Sequence, residues 1–155
     1  MKRIHYIYLG LLLGCLVAAP AIRAADASSG GIQWLTYEQA SKQVHDPSRK
    51  YFLFFYTDWC TYCHKLEQNT FADKAVADYI NQNFIPVKIN SERNPKLAAR
   101  FRISGVPNLR FLTPAGKDIA QWPGYIEPAD FLPLLKYIHT DSYLKMAYRD
   151  FLKQQ

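Results

Sequence analysis

The stretch from Tyr51 to Thr57, YFLFFYT, constrains the fold of this chain more than any other. Its aromatic and aliphatic residues do not alternate with polar ones, so both faces of the strand that they predict should be covered. Such a strand is typical of the centre of a sheet that carries helices on both sides. With 155 residues, the chain is long enough for one compact domain with a proper core and too short for two.

The segments around this strand predict an α/β order. A first helix is expected from Tyr37 to about Val44, with Thr36 as its cap. After the strand, the pattern predicts helices over 61–71 and 74–81, a strand over 84–90 and a short helix over 95–101 that Asn94 caps. Paired strands over 108–113 and 118–122, a helix over 128–138 and a helical tail over 142–152 follow. A βαβ unit followed by a ββα unit builds a mixed sheet with helices on both faces.

The first residues have the pattern of a secretory signal peptide. Lys2 and Arg3 precede an apolar stretch, small residues follow, and cleavage is expected near Ala24. Two alternatives stay open: an uncleaved membrane anchor, although the apolar run is short, and a lipid anchor at Cys15, although the residues after this cysteine are still apolar. The sequence therefore predicts a signal peptide over residues 1–24, a linker over 25–35, a folded domain over 36–140 and a helical tail over 141–155.

Export would leave two cysteines, Cys60 and Cys63, in the mature chain. Cysteines in an oxidising compartment usually form structural disulfides, but a bond between residues this close closes a tiny loop and constrains little of the unfolded chain. A chemical role is therefore favoured. The net charge of +6 falls to about +3 without the signal peptide, and the basic residues are scattered, so no nucleic-acid partner is predicted.

The segment WCTYCH, residues 59–64, permits two chemistries. Cys60-Thr61-Tyr62-Cys63 is a C-x-x-C pair, the pattern of a redox dithiol. With His64 added, the same letters match the C-x-x-C-H attachment site of c-type haem. The first interpretation predicts an enzyme that exchanges disulfides, and the second predicts an electron carrier whose chemistry belongs to the cofactor.

Three features together favour the first interpretation. The motif Trp59-Cys60-Thr61-Tyr62-Cys63 follows the predicted central strand, Gly105-Val106-Pro107 lies before a later strand, and Gly124-Tyr125 follows the last one. In these features the chain resembles the thioredoxin superfamily over about residues 51–138. The resemblance implies an α/β, thioredoxin-like fold: a mixed central sheet flanked by helices, with a C-terminal helical extension. It also implies that Pro107 is the family's cis-proline and faces the cysteines.

Within that superfamily, the segment DWCTYCHKLEQNTFAD, residues 58–73, is most similar to the C-terminal domain of the bacterial transmembrane thiol-disulfide interchange reductase. Small exported thioredoxin-like proteins have a similar sequence pattern. Two departures stand out. Ordinary thioredoxins carry a buried aspartate six residues before the first cysteine, where this chain has Phe54, and the proline that kinks the family's active-site helix is absent. The missing aspartate leaves the usual proton acceptor for Cys63 in question.

The resemblance implies a role for each cysteine. Cys60, at the start of a helix, would attack as a thiolate, because unpaired backbone N–H groups and the helix dipole favour the anion there. Cys63 would be the more buried sulfur and would resolve the mixed disulfide by forming the Cys60–Cys63 disulfide. Glu67, one turn beyond Cys63, is the candidate acceptor of its proton, and the alternative is an ordinary solvated helix residue.

Four further residues are expected to support the site. Trp59 and Tyr62 should line the substrate surface. The resemblance implies that Pro107 lies against the cysteines and leaves the backbone of Val106 free to pair with a substrate strand. His64 is expected to point to solvent, where its charged form would favour the thiolate or where it would be inert.

Haem and metal sites find less support. A c-type haem needs an axial ligand besides His64, and the candidates His45, His139 and Met146 lie outside the segments around the motif. No second C-x-x-C or H-x-x-H accompanies the first pair, so a structural zinc site is not expected. No cofactor and no metal are predicted. A purely partner-binding member of the superfamily would be expected to lose one or both cysteines, and this chain keeps both.

The resulting prediction is a periplasmic thiol-disulfide oxidoreductase that reduces disulfides of envelope proteins. It is expected to be monomeric and to receive electrons from a membrane donor. Oxidase and isomerase activity stay open, because Tyr62 and Val106 hold positions that tune the redox potential. Reduction is favoured, since nothing marks the dimerisation domain that an isomerase would add. Apocytochromes, whose thiols must stay reduced for haem attachment, are one candidate class of substrate.

Overall fold

The apolar run around Tyr51 lies in the middle of a four-stranded sheet. The computed structural model describes residues 30–42 and 47–155, and its strands follow the order β2-β1-β3-β4. These strands are β1 (Lys50–Tyr56), β2 (Phe84–Asn90), β3 (Asn108–Leu112) and β4 (Asp118–Pro123). β1 pairs in parallel with β2 and antiparallel with β3, and β3 pairs antiparallel with β4. The sheet is therefore mixed, as expected.

Helices cover both faces of this sheet. They are α1 (Tyr37–Lys42), α2 (Thr61–Lys65), α3 (Lys74–Asn83), α4 (Pro95–Arg100), α5 (Pro128–His139) and α6 (Tyr148–Leu152). Successive side chains of a strand point to opposite faces. Phe52 and Phe54 accordingly join the core beneath α2, α3 and α5, whereas Leu53 and Phe55 pack with residues of α1 and with Phe101 at the end of α4.

Helix α2 changes from α-helical to π-helical winding after Lys65. Residues Leu66–Thr70 form a π-helical turn, in which the N–H of Phe71 donates to the carbonyl oxygen of Leu66 at 2.8 Å. The single helix expected over 61–71 is therefore two consecutive segments. α3 then begins after Asp73, whose carboxylate accepts a hydrogen bond from the N–H of Val76 at 3.0 Å.

The linker expected over 25–35 is not what the structure shows for its last residues. Leu35 forms a parallel bridge with Val87 on the outer edge of β2. The ring of Trp34 lies 5.4 Å from that of Phe71 and packs on the aromatic core. A small and polar composition before this segment suggested a linker. Trp34 and Leu35 are apolar, however, so the Trp34 ring packs on the core and the Leu35 backbone hydrogen-bonds with Pro86 and Lys88 of β2.

The C-terminal tail is a second correction. The single helix expected over 142–152 is a 3-10 turn at Ser142–Leu144 followed by α6, because the backbone between them becomes extended at Ala147 (ψ 150°). The tail also packs on the domain. The ring of Tyr137 in α5 lies 5.2 Å from that of Tyr148 and 5.3 Å from that of Phe151.

Several expectations lie outside the described residues. They are the signal peptide over 1–24 with its alternatives at Cys15, the linker residues 25–29, the end of the first helix beyond Lys42, and His45. Within residues 30–42 and 47–155, no helix has both the length and the apolar character needed to cross a membrane.

Candidate active site

Cys60 and Cys63 form a disulfide at the start of α2, with their Cα atoms 5.2 Å apart. Cys60 is the N-cap residue of this helix, and the N–H of Cys63 donates to its Sγ at 3.1 Å. Cys60 is 5% exposed and Cys63 is 1% exposed, so Cys63 is the more buried of the two. A backbone N–H directed at the Cys60 sulfur stabilises negative charge there, which favours this cysteine as the thiolate.

Two aromatic side chains stand exposed beside the disulfide. Trp59 is 70% exposed and Tyr62 is 62% exposed, although large aromatic residues usually bury most of their surface. The indole Nε1 of Trp59 donates to Oε1 of Glu92 at 2.8 Å, which fixes the orientation of the ring. These two residues leave an apolar surface beside the motif open to solvent.

The loop that carries the motif is held by the loop that follows β2. The carboxylate of Asp58 accepts from Arg93 Nη2 at 2.6 Å and from Asn90 Nδ2 at 3.2 Å. His64 lies on the outside of α2, with Nε2 2.8 Å from the carbonyl oxygen of Asp58. The sequence did not predict a role for Glu92 and Arg93, because charged residues after a strand have the same pattern as a solvated turn.

Val106 and Pro107 reach the same end of the sheet through the antiparallel pairing of β1 and β3. Asn108, the first residue of β3, lies opposite Phe55 near the end of β1. The Val106–Pro107 peptide bond is cis, the isomer that the resemblance implies. Val106 packs against the core cluster that contains both cysteines. The carbonyl oxygen of Pro107 accepts from the N–H of Gly124 at 2.8 Å, where a φ of 90° suits glycine.

Glu67 is half-buried and ion-paired. Its Oε1 lies 2.7 Å from Nζ of Lys88 in β2. Phe54, at the position where ordinary thioredoxins carry an aspartate, is fully buried, and Lys88 Nζ lies 5.9 Å from the centre of its ring. Lys88 was not among the residues predicted for the site. A signal existed, since Lys88 is the only charged residue in the strand FIPVKIN.

The structure places six of the seven predicted site residues at one end of the sheet, and Glu67 lies farther along, beside Lys88 of β2. Trp59, Tyr62 and Glu67 lie on the motif segment with the two cysteines, and Val106 and Pro107 precede β3 beside it. His139, a candidate haem ligand, lies elsewhere, since its Nδ1 is 2.9 Å from the hydroxyl of Tyr79 in α3. The described part of the chain contains no cluster of three or more His, Cys, Asp or Glu residues able to hold a metal ion.

Comparisons with known proteins point to one family. The family model of the thioredoxin-like domain matches residues 37–139. The thiol:disulfide interchange protein DsbD of Actinobacillus pleuropneumoniae is 29% identical over 106 residues, which cover 65% of this chain and 18% of that protein. The chain therefore spans less than a fifth of the length of this relative. The disulfide bond reductase DsbH of Chlamydia pneumoniae is 24% identical over 137 residues, covering 74% of this chain and 81% of that protein.

Solved structures give the same fold. A thioredoxin from Thermus thermophilus superposes with a TM-score of 0.63 at 24% identity, covering 70% of this chain and 87% of that one. At this level of identity the likeness establishes the fold and nothing about substrates. The mixed sheet with its flanking helices is thus a thioredoxin fold, as the resemblance implied.

Proposed function

The chain belongs to the thioredoxin-like domain family, and from that premise we propose that it is a thiol-disulfide oxidoreductase that reduces protein disulfides. The observation that carries the proposal is the Cys60–Cys63 disulfide at the start of α2, with the N–H of Cys63 directed at the Cys60 sulfur. The relatives named as an interchange protein and a disulfide bond reductase support the same activity.

The proposed reaction has two steps. The Cys60 thiolate attacks one sulfur of a substrate disulfide, forms a mixed disulfide and releases the first substrate thiolate. Cys63 then loses its proton, attacks the sulfur of Cys60 and releases the second substrate thiolate. The substrate gains two electrons, and the enzyme is left with the Cys60–Cys63 disulfide. Glu67, one turn beyond Cys63, is the proposed acceptor of the Cys63 proton.

The exposed aromatic surface supports protein substrates. Trp59 and Tyr62 offer apolar contact area beside the disulfide, and an extended substrate segment would pair with the backbone of Val106. We place the enzyme in the periplasm as a monomer, on the strength of the signal-peptide pattern, with a membrane protein as electron donor. Apocytochromes are the proposed substrate class that such a compartment would supply, because haem attachment needs free thiols.

Trapping of mixed disulfides tests this mechanism. We expect Cys63→Ser to accumulate covalent complexes with protein substrates, because the resolving sulfur is gone, and Cys60→Ser to accumulate none. Complexes are counted on non-reducing gels after acid quenching of cells that express each variant. The double variant Cys60→Ser with Cys63→Ser is the control for non-specific oxidation. Equal trapping by the two single variants would reject the assignment of nucleophile and resolver.

The redox potential tests the direction. Equilibration with glutathione should give a value closer to the −270 mV of a reducing dithiol than to about −120 mV, which is typical of a strong oxidase. A potential near the oxidising value would reverse the proposed direction and leave the exchange mechanism standing.

A further inference from the structure

Three arginines line one cavity on the β4 side of the sheet. Arg100 is the last residue of α4, Arg102 lies two residues beyond it, and Arg110 comes from the middle of β3. The cavity, here called the arginine pocket, has a volume of about 420 Å³, and its other lining residues are Phe101, Asp118 and Gln121. Its three guanidinium groups and one carboxylate leave a net charge of +2.

Arg110 places one of these charges in the interior. It pairs with Leu53 of β1 and Gln121 of β4 in the sheet, and it is 9% exposed. Its Nη1 donates to Oδ1 of Asp118 at 3.0 Å, and its Nη2 donates to the carbonyl oxygen of Phe101. Its Nε is buried and has no hydrogen-bond partner among the described residues. The side chain of Asp118 is 61% exposed, so its carboxylate offsets only part of the cost of burying the guanidinium group.

Arg102 occupies a backbone position that usually belongs to glycine. Its φ is 52°, in the left-handed region, where a side chain costs free energy. The N–H of Arg102 donates to the carbonyl oxygen of Ala99 at 3.0 Å, and the N–H of Ile103 donates to that of Ala98 at 2.8 Å. These are the bonds of the turn with which glycine commonly ends a helix. Glycine would make this turn without the cost, so the position of Arg102 indicates a use for its side chain in the pocket.

The charges of Arg100 and Arg102 are not neutralised by the described part of the chain. Neither side chain has an ion-pair partner within residues 30–42 and 47–155. Nη1 of Arg100 donates to the hydroxyl of Tyr37 at 3.2 Å, which orients the guanidinium group and leaves its charge in place. The C-terminal end of a helix carries a partial negative charge, but the carbonyl groups at this end of α4 already accept hydrogen bonds. An anion in the pocket would therefore meet positive charge and N–H donors.

We propose that the arginine pocket binds a phosphate dianion, as inorganic phosphate or as the phosphate group of a monoester. Such a group carries a charge of about −1.5 to −2 at pH 7, which matches the pocket, whereas a single carboxylate would leave positive charge uncompensated. Guanidinium groups bind phosphate oxygens through pairs of parallel hydrogen bonds. The bound phosphate joins the end of α4 to β3. Neither cysteine lines the pocket, so phosphate binding does not depend on the proposed oxidoreductase activity.

Urea denaturation at constant ionic strength tests for this ligand. An anion that binds only the folded protein raises the ratio of folded to unfolded protein about elevenfold at ten times its Kd. We expect inorganic phosphate and glycerol 3-phosphate to raise this ratio, and acetate to leave it unchanged. The two phosphates separate the two sources. Tighter binding of glycerol 3-phosphate assigns the pocket to a monoester, and equal or weaker binding assigns it to inorganic phosphate.

Three variants locate the site. Arg102→Gln should raise the Kd for phosphate about tenfold, because a charged hydrogen-bond donor is lost. Arg149→Gln is the matched control: it removes the same charge from an exposed arginine of α6 that does not line the pocket, so the Kd should stay unchanged. Arg102→Gly should weaken phosphate binding as Arg102→Gln does. Without phosphate it should be no less stable than wild type, because glycine adopts the left-handed conformation freely.

Four results would overturn the proposal. The first is a failure of both phosphates to stabilise the protein, and the second is equal stabilisation by acetate, which would mean that the pocket does not select a dianion. The third is an equal Kd for phosphate in Arg102→Gln and Arg149→Gln, since attraction by net charge would then explain the binding. The fourth is an Arg102→Gly variant less stable than wild type without phosphate, because Arg102 would then serve the fold and not a ligand.

Discussion

The two ends of strand β1 differ in which side chains they expose and which they bury. Beyond its C-terminal end, the Cys60–Cys63 disulfide lies between two exposed aromatic side chains, Trp59 and Tyr62. The hydrogen bonds there come from loops, such as the one between Trp59 and Glu92 at 2.8 Å. Apolar surface that would stabilise the fold if buried is left in solvent at this end.

At the N-terminal end, a buried lysine is paired with a half-exposed aspartate. Lys50 is 7% exposed, and its Nζ donates to the carbonyl oxygen of His139 at 3.0 Å and contacts Asp141 Oδ1 at 3.0 Å. The hydroxyl oxygen of Tyr79 lies 2.9 Å from Nδ1 of His139. This network joins the first residue of β1 to α3 and to the start of the C-terminal tail. Removing one partner would leave another buried group without its bond, which is costly.

The difference separates stability from function along a single strand. Between the two ends lie the buried side chains of Phe52, Leu53, Phe54 and Phe55, which carry no charge. A substitution at the Lys50 end should therefore change the free energy of unfolding and leave the chemistry of the dithiol unchanged, and a substitution on the aromatic surface should do the reverse. Each prediction below tests that separation.

The largest effect is expected at Lys50. Lys50→Met keeps the volume of the side chain but leaves the His139 carbonyl and Asp141 without their shared donor. We expect a loss of about 2 kcal/mol in the free energy of unfolding, less than for a fully buried pair because Asp141 is half exposed. Urea denaturation, monitored by tryptophan fluorescence, measures this loss in the free energy of unfolding.

The control for this variant is Lys42→Met, which breaks a pair whose side chains are 73% and 75% exposed and should cost less than about 0.5 kcal/mol. The rate at which folded Lys50→Met reduces insulin, per folded molecule, should equal that of wild type. A fall in that rate while the protein remains folded would mean that the two ends of β1 are coupled.

An intermediate effect is expected at Trp59. Trp59→Ala should change the free energy of unfolding by less than about 0.5 kcal/mol, because the side chain is mostly exposed. Reduction of insulin should slow about fivefold, since a protein substrate loses an aromatic contact, and reduction of a small disulfide should change little. Leu144→Ala is the matched control: Leu144 is 72% exposed but lies in the tail beyond Asp141. Equal slowing of insulin reduction in both variants would remove the case for a substrate surface.

The local parts of this architecture could be predicted from the sequence. The unbroken apolar run predicted β1, and its direct continuation into the C-x-x-C pair placed Cys60 at a helix start. The apolar pattern predicted a helix from residue 74, and α3 begins there, with the carboxylate of Asp73 as its cap. The family resemblance supplied the cis bond before Pro107, which no local pattern would have given.

The parts that were missed depend on partners distant in sequence. The bridge between Leu35 and Val87 joins residues on opposite sides of β1 and α3 along the chain. The same holds for the pairing of Trp59 with Glu92, and of Glu67 with Lys88. One residue of each pair (Leu35, Glu92 or Glu67), taken alone, fits a linker or a solvated position, and the assembled sheet brings each pair together.

The smallest effect concerns pH and the buried end of β1. Burial and the positive charge of Lys50 lower the pKa of His139, with partial opposition from Asp141. The unfolded chain therefore binds a proton to this imidazole at a higher pH than the folded protein does, so stability is greatest above the ordinary histidine value of about 6.5 and falls as the pH drops through it. Burial alone would raise the pKa of Asp141, but hydrogen bonds from Lys50 and Tyr143 outweigh it and lower the pKa, so a second loss follows below about pH 4.

Urea denaturation at pH 7 and at pH 5 should show the first of these losses as less than about 1 kcal/mol, because the imidazole is partly open to solvent. His139→Gln keeps a polar partner for Tyr79 and does not titrate, so its free energy of unfolding should depend less on pH across this range. The rate at which Cys60 attacks a small disulfide such as dithiobis-nitrobenzoate should have the same pH profile in both proteins, since Cys60 lies at the other end of the strand. An equal pH dependence of unfolding in the two proteins would mean that His139 does not report on this network. A shifted profile for Cys60 would show that charge at one end of β1 changes the reactivity of the thiol at the other end, so that stability and function are not separated along the strand.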